Sequence, residues 1–127
     1  MGNLFIEDVQ EKLDSYHLDM MPSQNSICFP IIYRLYVKMR IGIKFLGIII
    51  DKSLNIDGHH RYIASKLVNV PIDKYPGIRP SNHHLYSLKD VQLIAEDWDT
   101  PEKIKFLNYQ DAFYNGYSID ALNEILK

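Results

Sequence analysis

Cysteine is almost missing from this chain. Cys28 is the only one in 127 residues, so no internal disulfide can form and no cysteine-rich zinc site can be built. That absence points to a reducing compartment. An excess of charge is missing too. Fourteen basic and sixteen acidic side chains leave a formal charge of −2, which gives nucleic acid no general attraction, so any such contact needs a local patch. Long apolar runs are also lacking. The longest, Phe45 to Ile50, is far too short to span a bilayer, and no membrane association is expected. The opening stretch, Met1 to Asp8, has neither the basic region nor the apolar core of a signal peptide, which leaves the cytoplasm or export by another route. The chain contains no internal repeat, low-complexity tract or linker.

What is present suits a globular protein. With 46% hydrophobic and 24% charged residues, the length allows one domain over 1–127 with one core. The signals alternate between helix and strand. Asn3 is a candidate N-cap, and Ile6, Val9, Leu13 and Tyr16 recur at helical spacing behind it. Met21 to Phe29, with Pro22, Ser23, Asn25 and Ser26, reads as a loop. Pro30 then suits the first turn of a helix carrying Ile32, Leu35, Tyr36 and Met39 on one side and ending at Gly42, with the β-branched residues leaving a strand as the alternative.

Lys44 to Ile50 is predicted as a buried strand that turns at Asp51-Lys52-Ser53 into Leu54-Asn55-Ile56. Tyr62 to Val68 reads as a helix with Ile63, Leu67 and Val70 on one face and Ala64 beside them. Pro71 to Tyr75 and Val91 to Ile94 are further strand candidates. Thr100-Pro101-Glu102 is a strong helix start, Gly116 stops that helix, and Ser118 caps a last one. The sum is one α/β or α+β unit with a helical C-terminal segment.

The chemistry concentrates in Asp57-Gly58-His59-His60-Arg61-Tyr62. A strand, a glycine turn and a helix start carrying His and Arg make an anion site, because the first helical N–H groups lack partners and the dipole favours negative charge. Gly58 allows close backbone approach to a phosphate, or simply makes the turn. Arg61 offers a planar fork of donors to phosphate oxygens, with a structural salt bridge as its alternative. Asp57 reads as a magnesium carboxylate or general base, and equally as a plain helix cap. Neighbouring helical residues point about 100° apart, so His59 and His60 divide their tasks, with His60 favoured to face the ligand.

Other residues read more simply. His83 and His84, after Arg79-Pro80-Ser81-Asn82, suit a solvated loop better than a metal cluster, or a phosphate-facing loop with Arg79. Asp111 shares a helix stripe with Ile104, Leu107 and Tyr114, so its carboxylate needs a partner, most simply a capping group. Glu96-Asp97-Trp98-Asp99 reads as a loop and cap, and Tyr33, Tyr36 and Tyr62 as packing.

The stretch Ile56-Asp57-Gly58-His59-His60-Arg61-Tyr62-Ile63-Ala64-Ser65-Lys66-Leu67 resembles the signature of the ParB/sulfiredoxin superfamily, in which a strand ends at a Gly-x-x-Arg box and the next helix packs on a small mixed sheet. The likeness covers about residues 44–75. The Asp-Gly-His-His-Arg form is similar to members that bind nucleotides or act on phosphate groups. Two departures narrow it. His59 stands where sulfiredoxins carry their reactive cysteine, which argues against sulfinic acid repair. No basic recognition helix follows Ile78, which argues against chromosome segregation.

The resemblance implies an enzyme that binds a nucleoside tri- or diphosphate and transfers or hydrolyses phosphate with Mg2+. Asp57, His60 and Arg61 would be its catalytic residues, with Gly58, His59 and Arg61 as ligand contacts and Asp57 as the metal carboxylate. Two alternatives stand beside it. One is a nuclease-type bacterial toxin domain, secreted without a classical signal and matched by an immunity protein. The other is a non-catalytic nucleotide-binding module working through a partner protein.

Overall fold

The computed structural model describes residues 4–14, 21–78 and 91–127. Helix starts follow the local chemistry. Helix α1 (Ile6–Asp14) opens with the Phe5 N–H donated to the Asp8 carboxylate at 2.8 Å. Asn3, the predicted cap, and Tyr16 lie outside the described residues. Helix α2 (Phe29–Arg40) has Pro30 in its first turn and Ile41 as its C-cap, followed by Gly42 at φ +92°.

Helix α4 (Pro101–Tyr114) starts at Thr100, whose hydroxyl accepts the Lys103 N–H at 3.2 Å. Helix α5 (Ile119–Leu126) starts at Ser118, whose hydroxyl accepts the Ala121 N–H at 3.1 Å. Both starts fall where the sequence places them.

Four short strands form a mixed sheet in the order β1-β4-β3-β5: β1 is Met21–Pro22, β4 Leu54–Asp57, β3 Ile48–Asp51 and β5 Lys74–Pro76. β3 and β4 make an antiparallel hairpin, while β1 and β5 join parallel at the two edges. A separate parallel pair joins β2 (Ser26–Cys28) to β6 (Gln92–Ile94). Helix α3 (His59–Val68) follows β4 directly and packs against α2. The fold is a small α+β arrangement with helices beside a mixed sheet and a helical C-terminal segment.

Three expectations need correction. Met21 to Phe29 is not all loop but contributes β1 and β2, because both pair with segments far along the chain and local composition carries no trace of that pairing. The strand expected from Lys44 begins only at Ile48. The Asn115 side chain accepts the Lys44 N–H at 2.7 Å and donates to its carbonyl at 3.0 Å, taking the groups a ladder would use. The strand expected at Pro71 to Tyr75 is shifted to Lys74–Pro76, at a sheet edge where a proline without an N–H is tolerated.

The main core draws Val9 and Leu13 from α1, Ile27 from β2, Ile32 and Met39 from α2, Ile48 from β3, and Tyr62 to Ala64 from α3. Helices α4 and α5 contribute nothing to that cluster. Their Ala112 and Leu122 form a second, smaller one with Ile43. Cys28 is fully buried at the β2 end, its Sγ 3.4 Å from both the Glu96 carbonyl and the Trp98 N–H. Among the described residues no helix is long and apolar enough to cross a membrane.

Candidate functional site

Where β4 runs into α3, the backbone makes a left-handed step. Gly58 sits at φ +91°, ψ +30°, a conformation that costs a side-chain-bearing residue free energy. Its carbonyl accepts the Tyr62 N–H at 2.9 Å, the first intrahelical bond of α3, and among the described residues no side chain caps the helix start. Asp57 is therefore not the cap. Its carboxylate is 73% exposed and stands 3.9 Å from Nη2 of Arg61.

Arg61 folds back over the glycine. A Cβ on Gly58 would come within 2.8 Å of Arg61 Nη2 and 2.7 Å of Ile48 Cγ2. The bare Cα thus receives the chain's own guanidinium and a core methyl, which is a different use from the phosphate approach expected of it. Nη2 donates to the Gly47 carbonyl at 3.2 Å, and Nε is buried without an acceptor among the described residues. The guanidinium is held in place from one side and retains unused donors.

The two histidines diverge, as adjacent helical positions must, yet both imidazoles bind backbone. His59 is 5% exposed, and its Nε2 accepts the Ser23 N–H at 3.0 Å. His60 accepts the Cys28 N–H at 3.0 Å through Nε2 and meets the Trp98 ring edge-on at 5.4 Å. Together they tie the start of α3 to the segment running from β1 to β2. An Nε2 that accepts an N–H leaves the ring proton on Nδ1, so His60 is neutral. Burial first, then the electrostatic influence of His59 and Arg61, pushes its pKa down to about 4, against the opposing pull of Asp99. The expected role of His60 as catalytic base meets a physical obstacle, since the atom that would take a proton is already engaged.

This arrangement predicts an acid limb of stability. The folded pKa of His60 lies below its ordinary 6.5, so between those values the unfolded chain binds the extra proton. His60's contribution is complete above about pH 6.5 and declines as pH falls through about 4. In urea titrations, His60→Gln, which keeps an acceptor for Cys28 without titrating, should flatten the stability slope across that window. An unchanged slope contradicts the bond.

Asp57, Gly58, His60 and Arg61 line a cavity of about 580 Å³. Arg34 and Lys38 of α2 and Leu107 and Asp111 of α4 line the same cavity. The sequence reading missed Arg34 and Lys38, whose partners lie more than sixty residues away. Arg34 is tied to two carboxylates: Nη1 and Nη2 bind Asp97 at 2.6 and 3.0 Å, and Nη2 also binds Asp99 at 2.9 Å. Those hydrogen bonds hold the Asp97 carboxyl below the usual carboxylate range. The acidic cluster before α4 is thus a clamp on α2 rather than only a loop and cap.

Lys38, almost fully buried, binds Asp111 at 2.7 Å. The partner that Asp111 needs is an ammonium group, not a helix cap. Arg79, His83 and His84 lie outside the described residues. Among the described residues no three or more His, Cys, Asp or Glu side chains converge as a metal site.

No protein-family model matches this chain, and no curated protein or solved structure resembles it to a significant degree.

Proposed function

We propose that this protein binds a nucleotide or similar organic phosphate in the cavity between α2, the start of α3 and α4, and acts on the phosphate with Mg2+. One observation carries the reading. Arg61 lines the cavity at an uncapped helix start, with a guanidinium fixed by Gly47 yet short of acceptors. Charge-assisted donors beside unpaired helical N–H groups suit phosphate oxygens. The apolar walls, among them Leu35, Ile104 and Leu107, suit an organic body attached to that phosphate.

Asp57 fits the metal's needs in part. Mg2+ is commonly held by one or two carboxylates together with substrate phosphates and water, and the exposed Asp57 carboxylate faces that environment beside Arg61. There the ion would neutralise phosphate charge. Membership of the ParB/sulfiredoxin superfamily is part of this reading, supported by the Asp57–Tyr62 run between a sheet strand and a packed helix.

A non-catalytic binding module is the second reading, favoured by the engagement of both histidine Nε2 atoms, which leaves Asp57 as the exposed acid–base group of the motif. Cleavage of nucleic acid has less support. Arg34 and Lys38 are neutralised by carboxylates, and the net charge of −2 supplies no basic surface.

The test is calorimetric titration with ATP, CTP and ADP, with and without Mg2+, alongside turnover assays and plasmid nicking. Saturable binding is expected, with release of phosphate or its transfer for an enzyme and none for a module. Arg61→Ala should weaken binding by about 10- to 100-fold, the equivalent of one lost charge-assisted contact. If Arg61→Ala and Asp57→Ala leave every affinity and activity unchanged, the site is misassigned.

A further inference from the structure

The Lys38–Asp111 pair lines the same cavity, and among the described residues protein partners fill only part of its hydrogen-bonding capacity. Lys38 carries three donors on an ammonium whose side chain is only 6% exposed, and one of them goes to Asp111 Oδ2 at 2.7 Å. Among the described residues the other two have no acceptor, and Asp111 Oδ1 has no donor. Arg34, one turn earlier on α2, differs, since both of its Nη atoms are taken by Asp97 and Asp99. A tie needed only to hold α4 against α2 could be apolar at no loss of stability, because a buried ion pair seldom outperforms hydrophobic residues of its own volume.

From this geometry we infer that Lys38 and Asp111 read a part of the ligand other than its phosphate, an uncharged edge with a hydrogen-bond acceptor beside a donor, as an amide or a nucleobase presents. The inference rests on the phosphate reading above. The pair is neutral as a unit, so an oxyanion gains little net attraction there and meets the Asp111 charge. A carbonyl or ring nitrogen beside an N–H matches both members at once, donor to acceptor and acceptor to donor. Leu35 and Leu107 line the same cavity, and apolar surface of this kind suits the faces of a flat ring.

ADP and pyrophosphate separate the two parts of the site, since both carry the diphosphate and only ADP carries a base. Calorimetry on the full chain should find ADP bound more tightly than pyrophosphate. Lys38→Met combined with Asp111→Leu removes both charges without stranding either, and should weaken ADP at least 10-fold while leaving pyrophosphate unchanged. Asp111→Asn, nearly isosteric, should weaken ADP selectively in the same way. Equal losses for both ligands, or none for either, overturn the role of the pair while the phosphate reading stands. If the unaltered protein binds neither ligand, both inferences fall. A purely structural pair would shift the melting temperature without changing the ratio of the two affinities.

Discussion

Gly58→Ala should destabilise the protein by about 3 kcal/mol and lower its melting temperature by about 10 °C. Two costs add. An alanine at φ +91° is held in left-handed space, at roughly 1–2 kcal/mol. Its methyl would also sit 2.7 Å from Ile48 Cγ2 and 2.8 Å from Arg61 Nη2, overpacking of a kind that costs about 1–3 kcal/mol. The guanidinium can swing aside, but Ile48 is fully buried and cannot. Part of the cost should therefore vanish in an Arg61→Ala background, and a double-mutant cycle in urea measures that part. A loss below about 1 kcal/mol would mean that Ile48 and Arg61 do not crowd this position. Because Arg61 must move in the single variant, its affinity for anions should fall along with its stability.

Asp111→Leu is expected to cost about 3 kcal/mol, more than Asp111→Leu and Lys38→Met together. The single change strands an ammonium that is 6% exposed, whereas the double change removes the charge along with its partner. Removing Lys38 alone should cost less, since Asp111 retains 16% exposure and can draw on solvent. The order of the three midpoints in chemical denaturation decides the matter. If the double variant is the least stable, the pair contributes through its charge and not merely through occupied volume.

Element starts were legible because their causes are local. Thr100 with Pro101, Ser118, and Pro30 each satisfy or remove helical N–H groups within one turn, so four letters of sequence suffice. The β3–β4 hairpin was legible for the same reason, with Lys52 at φ +57° at its tip. What stayed hidden depends on distance along the chain. β1 and β2 exist through partners at Leu54 and Gln92, and Lys44 is kept from the sheet by Asn115.

The candidate site divides in the same way. Asp57, Gly58 and Arg61 are neighbours in sequence and meet in space, so the motif announced them. Arg34 and Lys38 lie off the apolar set Ile32, Leu35, Tyr36 and Met39 and drew no reading, and nothing near them in the sequence indicates the carboxylates of Asp97, Asp99 and Asp111. The histidines were legible as a pair but not in orientation, because which way an imidazole turns depends on the backbone of Ser23 and Cys28.

The lone sulfhydryl has a practical consequence. Cys28 is sealed between Glu96 and Trp98, so a thiol-reactive dye can reach it only when that seam parts. Its labelling rate under native conditions is thus a clock for the opening of the joint between β2 and the segment leading into α4, readable without any engineered probe. Arg34→Ala, which unfastens the Asp97 and Asp99 clasp alongside, should make that clock run faster.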